Sequence, residues 1–199
     1  MKLIFLLSFL IFANLTFAQS KYFTKIQEYQ SEMNREFADS TSSPLTKQDL
    51  LKFKQLSFFP VDSMYCVTSR FETTQNDTIF EMITTTSRRP LYQRVAIVYF
   101  KIDTVECKLN VYKNIDLSKK TGFEDYLFIP FTDATNGIET YAGGRYLDVR
   151  IPNSDTLILD FNKAYNPYCA YNKKYSCPVP PDENDLNVRI AAGVLKFEH

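Results

Sequence analysis

The chain has 199 residues, four cysteines, one histidine and 23 basic side chains that balance 23 acidic ones. Balanced charge and two short basic runs, "SRRPLYQR" and "NKKY", provide no continuous basic stripe, so nucleic acid is excluded as a partner. About 180 residues beyond a leader are enough for one domain to bury roughly 70% of its unfolded surface, which favours a single globular domain.

The first 18 residues have the pattern of a secretory signal peptide. "MKLIFLLSFLIFANLTFA" carries one lysine, an apolar run and then short side chains at Thr16 and Ala18. An uncleaved membrane anchor is the alternative, but the run is shorter than the ~20 apolar residues that a spanning helix needs. We therefore expect cleavage after Ala18, a secreted or periplasmic protein, and no integral membrane segment once the leader is removed.

Two helices are predicted at the start of the exported chain. Residues 19–42 form an amphipathic helix, because large apolar residues recur every three or four positions, at Tyr22, Phe23, Ile26, Tyr29, Met33 and Phe37. The globular domain of residues 43–199 begins with a second helix that has Thr46 as its N-cap and Asp49 three residues on. This helix ends at Pro60 at the latest, and its apolar positions are Leu50, Phe53 and Leu56.

Beyond Pro60 the hydrophobic period changes to two, which predicts strands. Residues 91–101 are apolar on both faces, and residues 104–112 alternate and return as the second half of a β-hairpin. Further strands are predicted at 64–71, 78–85, 126–131, 145–151, 156–161 and 187–191. No helical pattern between them is long enough for a parallel crossover. The predicted class is α+β, mainly β, with N-terminal amphipathic helices packed on an antiparallel sheet, sandwich or partial barrel.

All four cysteines lie in the exported part, where disulfides can form. Cys169 and Cys177 are eight positions apart with turn residues between them, so we expect a bridge that stabilises by roughly 2.5 kcal/mol. Cys107 alternates with apolar residues and is interpreted as a small buried hydrophobe. It could pair with Cys66 only if their strands are neighbours, so that pairing stays open.

Familiar catalytic and cofactor motifs are missing from the sequence. The one histidine, His199, is the last residue, and a frayed terminus cannot hold an imidazole for a catalytic triad. The cysteine spacing matches no zinc site, and "ETYAGGRY" lacks the helix start and Lys-Ser/Thr of a phosphate loop. We expect neither a metal nor a cofactor.

A polar and aromatic set remains in the second half of the chain. Such residues can bind a polar ligand or perform acid–base chemistry, but Asn, Asp and Tyr also satisfy turns and surfaces, and both interpretations stay open. The set comprises Glu139, Tyr141, Arg145, Tyr146, Asp148, Asp160, Asn162, Tyr165, Asn166, Tyr171, Glu183 and Asn184.

Several of these residues lie in segments that resemble a known family, the bacterial and archaeal family catalogued as domain of unknown function 1684. The segments are "GGRYLDV" at 143–149, "LDFNKAYNPYCAYN" at 159–172 and "CPVPPDEN" at 177–184, with an entry segment of "SPL" at 43–45 and "LSFFPVD" at 56–62. The resemblance covers about residues 40–195 and implies no known activity. Family members tend to end with Gly-Glu and a basic residue, whereas here Gly193 is followed by Val194.

Carried over residue by residue, the resemblance points to a set that overlaps the polar one: Gly144, Arg145, Tyr146, Asp160, Asn162, Tyr165, Asn166, Pro167, Cys169, Cys177, Pro178, Pro181, Glu183 and Asn184. The candidate ligand-binding residues are Arg145, Tyr146, Asp160, Asn162, Tyr165, Asn166, Tyr171, Glu183 and Asn184. Because the cysteine pair also occurs in relatives without an export signal, the resemblance leaves room for reduced thiols.

Three hypotheses about function follow. The leading one is an exported, non-catalytic domain that binds a small polar ligand or a protein partner through its late polar segment. The alternative is a hydrolase-type enzyme that uses Asp160 or Glu183 as acid or base, with Arg145 holding an anionic group. The third is thiol or metal chemistry at Cys169 and Cys177, although their spacing is not that of C-x-x-C.

Overall fold

A computed structural model describes the backbone of residues 2–75 and 77–199 and the side chains of residues 20–75 and 77–199. Within these residues the chain forms two α-helices and eight β-strands. The helices are α1 (Lys2–Ala38) and α2 (Lys47–Lys52). The strands are β1 (Cys66–Thr73), β2 (Phe80–Glu81), β3 (Leu91–Ile102), β4 (Val105–Asn114), β5 (Tyr126–Asp133), β6 (Arg145–Arg150), β7 (Thr156–Asp160) and β8 (Asp185–Leu186). Of the described helices, none combines the length and apolar character that crossing a membrane would take.

The second half of α1 docks on the domain through buried apolar residues, Ile26 and Phe37, and through polar side chains. The Tyr22 hydroxyl donates to Asp160 Oδ1 at 3.0 Å, and Asn34 Oδ1 accepts the backbone N–H of Leu56 at 2.7 Å. The helix ends before residue 42, where the sequence predicted its end. Its last turn gives way at Ala38 to a tight turn held by the following aspartate, which accepts the backbone N–H two residues on at 2.9 Å.

The start of α2 is as predicted, but its end is not. Thr46 Oγ1 accepts the backbone N–H of Asp49 at 3.1 Å and donates to the Asp49 carboxylate at 2.6 Å, so the predicted N-cap is confirmed. The helix ends at Lys52 instead of extending toward Pro60. The chain is extended there because Ser57 and its neighbours pair with the C-terminal segment, as in the 2.9 Å bond from Leu195 N to Ser57 O.

One antiparallel sheet curls into a half-barrel and carries the fold. The strand order is β6-β5-β4-β3-β1-β7, with β2 paired to β3 and β8 paired parallel to β5. The predicted hairpin is β3–β4, whose ladder runs from Ile102↔Val105 to Tyr92↔Asn114. The α+β, mainly β class is confirmed, and the sheet takes the partial-barrel form rather than that of a two-sheet sandwich.

The two faces of the sheet bury different side chains. Aliphatic residues and phenylalanines from the middle of every long strand form the main core on the inner face. The other face carries a second, aromatic cluster that is covered by the irregular chain between Tyr165 and Pro178. The buried members of this cluster are Met82, Tyr92, Tyr112, Phe128, Tyr146 and Cys177. An irregular, proline-rich segment therefore serves as the second layer of the domain.

Two predicted strands are wrong in extent. The strand expected at 78–85 reduces to Phe80–Glu81, because the chain then turns sharply, with Thr84 Oγ1 donating to Arg88 O at 2.7 Å. The strand expected at 187–191 is absent from the described chain. Its place is taken by β8 at Asp185–Leu186 and by a segment in which the Val188 carbonyl accepts the backbone N–H of Ala134 and the Ile190 carbonyl accepts the Arg145 side chain.

Cys66 and Cys107 do not lie on neighbouring strands. Cys66 is on β1 and Cys107 is on β4, and β3 runs between these two strands. Both are free thiols and half-buried, and burial raises the pKa of each. The open question of their pairing is therefore answered by the strand order, since β3 separates them.

Candidate functional site

Arg145, predicted to hold an anionic ligand, is instead a structural residue. It is 0% exposed, and its guanidinium donates to Asp133 Oδ2 at 2.6 Å, to Ile190 O at 2.9 Å and to Ala192 O. Asp133 is also fully buried and accepts the backbone N–H of Thr135 at 2.8 Å. The pair joins β5 and β6 to the C-terminal segment, and it leaves no route to a ligand.

Asn184 and Asn162 also satisfy the backbone rather than a ligand. Asn184 is 0% exposed and lies where β4 and β5 separate: its Oδ1 accepts Asn110 N at 2.7 Å, and its Nδ2 donates to Asn110 O at 3.0 Å and Pro130 O at 2.7 Å. Asn110 is itself buried against it. Asn162 bonds in the same two-way manner to the backbone of Asp62, at 2.9 and 2.8 Å. Each side-chain amide thus provides the hydrogen bonds that a neighbouring strand would otherwise give to these backbone groups.

The proposed acid–base set does not converge. Asp160 caps the short turn that follows β7 and accepts the N–H of Asn162 and the hydroxyl of Tyr22. Glu183 is exposed and lines a different cavity with Arg94. With Arg145 buried elsewhere, these side chains share no partner and no cavity. The geometry required for the hydrolase hypothesis is therefore not present.

A pocket lies on the aromatic face of the sheet, and two other predicted residues, Tyr146 and Tyr165, line it. Its volume is about 280 Å³. Side chains from β3, β5 and β6 form one side, and the irregular segment from Tyr165 to Pro178 forms the other. The lining residues are Tyr92, Leu117, Tyr126, Phe128, Tyr146, Tyr165, Pro167, Tyr168, Tyr175, Ser176, Cys177 and Pro178. We call this cavity the tyrosine pocket, since six of the twelve are tyrosines.

Asp148 organises one side of the tyrosine pocket. It lies across from Phe128 in the β5–β6 ladder, so both side chains lie on the same face of the sheet. Its Oδ1 accepts the hydroxyl of Tyr126 at 2.6 Å and that of Tyr165 at 2.8 Å. Desolvation by the surrounding protein raises the pKa of the Asp148 carboxyl, while the two phenols and Arg150 act in the opposite direction.

The rings of the pocket are held by one another and by the backbone. Tyr146 packs edge-on against Phe128, with centroids 4.7 Å apart, and against Tyr165 at 5.7 Å. The Tyr146 hydroxyl donates to the carbonyl of Pro178, which fixes the covering segment to β6. Tyr146 and Tyr165 also exchange backbone hydrogen bonds at 2.9 and 3.1 Å. The pocket is therefore preformed, with ring surfaces directed inward.

A pair of thiols lies beside the pocket, and this corrects the predicted disulfide. Cys169 and Cys177 are free, with the backbone N–H of Cys169 donating to Cys177 Sγ at 3.2 Å and the Tyr141 hydroxyl 3.8 Å from Cys169 Sγ. The Cys177 thiol lowers the pKa of Cys169 to about 6, and the pKa of Cys177 is raised in turn. The two cysteines meet, as their spacing predicts, but without forming a bridge in this structure.

A smaller cavity adjoins the tyrosine pocket on the side of α1. It holds about 120 Å³ and shares Tyr165 and Tyr168 with the pocket. Asn166 and Tyr171 line it, each 1% exposed, and the Asn166 Oδ1 and Tyr171 hydroxyl have no hydrogen-bond partner in the described part of the chain. Both atoms are buried, and a buried polar atom without a partner costs free energy.

Four of the candidate ligand-binding residues, Tyr146, Tyr165, Asn166 and Tyr171, line the two cavities, and Asp148 belongs to the polar set. That these residues bind a ligand stays a prediction. The lining residues of the tyrosine pocket that were not predicted are Tyr92, Leu117, Tyr126, Phe128, Tyr168, Tyr175 and Ser176. The signal was the tyrosine content, 13 in the chain, with a dense run before Cys177. Among described residues, no group of three or more His, Cys, Asp or Glu is placed to hold a metal ion.

Fold and site together define a small half-barrel domain with an aromatic pocket on its outer face. Residues 51–195 match the family described as "Protein of unknown function (DUF1684)", so the chain belongs to that family, as its motifs predict. A comparison with curated proteins finds no match. The chain is similar to the solution NMR structure of an uncharacterised protein of Haloarcula marismortui, with a TM-score of 0.69 and 30% identity over 92% of this chain and 98% of that one.

Proposed function

We propose that the protein is an exported, non-catalytic domain that binds a small ligand in the tyrosine pocket. The observation that carries the proposal is the preformed cavity of about 280 Å³ lined by six tyrosines and a phenylalanine. Small-molecule sites are concave and mostly apolar, with a few fixed polar groups that orient the ligand. The tyrosine pocket has this composition, and the adjoining cavity adds two polar atoms without a partner.

The chemistry of the lining side chains supports binding rather than catalysis. The lining contains no histidine, carboxylate or amine among the described residues. Three of its hydroxyls, those of Tyr126, Tyr146 and Tyr165, donate to a carboxylate or a carbonyl of the protein. The protons of these hydroxyls are therefore already engaged by the protein, and the tyrosine rings remain to contact a ligand. Ring faces bind flat or apolar groups but do not transfer protons.

Export is the second part of the proposal, and the leader pattern at residues 1–18 supports it. Cleavage after Ala18 would leave the part of α1 that docks on the domain, including Tyr22 with its bond to Asp160. Sequencing the N-terminus of protein recovered from the medium or periplasm tests this directly. A mature chain that begins at residue 19 supports export with cleavage after Ala18, whereas protein found only in the cytoplasmic fraction, with Met1 intact, contradicts export.

Thermal-shift screening tests the binding proposal. Sugars, amino acids, nucleotides and other small polar compounds would be screened on the wild type and on two variants. A ligand at about 100 times its Kd stabilises by about 2.7 kcal/mol, which raises Tm by about 5–10 °C for a domain of this size. We expect Tyr168→Ala, which opens both cavities, to lose the shift, and Tyr99→Ala, on the opposite part of the sheet, to keep it. A folded wild type that responds to no class contradicts the proposal.

Thiol chemistry is a second candidate, favoured by one observation. The pKa of Cys169 is lowered to about 6 by its neighbour, and thiolates are the reactive form of cysteine. Cys177 lines the pocket, so a bound electrophile or disulfide would lie close to the pair. Replacing Cys169 by serine separates the two candidates, because ligand binding survives that change and thiol chemistry does not.

A further inference from the structure

The two basic runs of the sequence, far apart in the chain, meet at the edge of the tyrosine pocket. Arg88 Nη2 donates to Ser176 O at 2.8 Å, and its Nε donates to Ser176 Oγ at 3.2 Å. Ser176 lines the pocket and immediately follows the run that contains Lys174. The contact is fixed by the backbone bond from Thr85 N to Cys177 O at 2.9 Å. We call Arg88, Arg89, Lys173 and Lys174 the basic rim.

The charges of the basic rim are not neutralised by the protein. None of the four makes an ion pair within the described residues, whereas other cations near the pocket are paired, such as Lys119 with Asp116 at 3.0 Å and Arg150 with Asp125 at 2.6 Å. Asp148 already accepts the hydroxyls of two pocket tyrosines, Tyr126 and Tyr165, and forms no ion pair with the rim within the described residues.

The basic rim also acts on the interior of the pocket. Burial raises the pKa of Tyr92 and the neighbouring Cys169 thiol raises the pKa of Cys177, and the positive charge of Arg88 opposes both increases. Both residues line the pocket. Lys174 lies over the ring of Tyr175, its Nζ 4.9 Å from the centroid, which holds a second positive charge at the opening.

We propose that the tyrosine pocket binds a flat or aromatic molecule that carries an anionic group, with the ring between the tyrosines and the anion on Arg88 and Lys174. This inference rests on the proposed function and adds the chemical class of the ligand. An unpaired guanidinium offers a carboxylate or phosphate two parallel hydrogen bonds, and the remaining N–H groups of Arg88 are free to do so. A cationic ligand would instead meet the repulsion of the rim.

A series of probes that differ in charge alone tests the proposal. Phenylacetate, phenylacetamide and phenethylamine share a ring and are nearly equal in size, with an anionic, a neutral and a cationic end. Saturation-transfer NMR titrations on the full chain give a Kd for each. We expect phenylacetate to bind about fivefold more tightly than the amide, which corresponds to about 1 kcal/mol for a solvent-accessible ion pair. This preference should fall as salt is raised, because salt screens exposed charges.

Matched variants locate the anion. Lys174→Gln and Arg88→Gln should each weaken phenylacetate binding by about threefold to fivefold, and Lys174→Gln should leave phenylacetamide binding unchanged. Arg88→Gln also removes the hydrogen bonds to Ser176, so Lys174→Gln is the decisive variant. Lys108→Gln, at an exposed position on β4, should change neither. The Lys174 side chain makes no hydrogen bond in the described structure. Lys174→Gln therefore removes a charge at the pocket without removing a hydrogen bond that stabilises the fold.

The outcomes distinguish this inference from the proposed function. Equal binding of all three probes, or preference for phenethylamine, overturns the anionic ligand while the pocket remains a binding site. If none of the three probes binds, the proposal that the tyrosine pocket is a binding site is wrong, and the inference about its ligand fails with it. Loss of phenylacetate preference in Lys174→Gln but not in Lys108→Gln supports the proposal.

Discussion

Replacing Arg145 by methionine should strongly destabilise the fold. The side chain is 0% exposed and provides the charge partner of the equally buried Asp133. Methionine is long enough to fill much of the space but donates no hydrogen bond, so it leaves a buried carboxylate without its partner and two carbonyls, of Ile190 and Ala192, without a donor. Removing one member of a buried pair costs about 3–5 kcal/mol.

For a domain of about 180 residues, each kcal/mol changes Tm by about 2–4 °C, so Tm should fall by about 6–20 °C. Thermal unfolding followed by circular dichroism, together with urea titration, measures the change. Arg189→Met is the matched control, because Arg189 pairs with Glu139 at 2.6 Å on the surface with 53% of its side chain exposed. An exposed pair contributes about 0–1 kcal/mol.

The interpretation of Arg145 as a structural residue depends on the difference between the two variants. If Arg145→Met unfolds at the same temperature as Arg189→Met, the buried pair does not hold the C-terminal segment. If Arg145→Met stays fully stable but loses a bound ligand, the earlier hypothesis of an anion-holding arginine is correct instead.

Three further predictions follow from the described contacts. Asn184→Ala should lower the free energy of unfolding by about 2–4 kcal/mol, because it leaves three buried backbone groups of β4 and β5 without a partner. The surface control Asn153→Ala should lower it by less than about 0.5 kcal/mol in the same urea titration. Gly144→Ala should lower the free energy of unfolding by about 1–3 kcal/mol, because the backbone has φ +89° and a Cβ would lie 2.7 Å from a carbonyl oxygen. A urea titration measures the change, and an unchanged midpoint refutes the prediction. Iodoacetamide should label Cys169 at a rate that is half-maximal at about pH 6, where half of its thiol is ionised, and that levels off above that pH. Labelling of Cys107, whose pKa is raised by burial, should keep rising above about pH 9; identical pH profiles by mass spectrometry contradict the lowered pKa.

The parts of the fold that the sequence predicts correctly are those held by neighbouring residues. The hairpin of β3 and β4 follows from two alternating runs and a short turn, and the N-cap at Thr46 follows from a carboxylate three residues on. The meeting of Cys169 and Cys177 likewise needs only the turn between them. In each case the partner lies within a few residues, so local chemistry is sufficient.

The roles of the polar residues depend on distant partners, and here the sequence is insufficient. Asn184 and Asn166 look alike in sequence, but one joins two strands that separate and the other lines a cavity with an unpaired oxygen. The difference arises because the curled sheet places strand ends opposite loops that are distant in the chain.

Composition and pattern alone determined a leader-like start, a mainly β domain and a stiff, tyrosine-rich late segment. Only the tertiary structure decided that this segment covers the aromatic face of the sheet, where Tyr126 and Asp148 complete its pocket and Arg88 reaches its edge. The physical reason is burial: the rings on the outer face of β5 and β6 must be removed from water, and the segment that covers them determines which residues form the site.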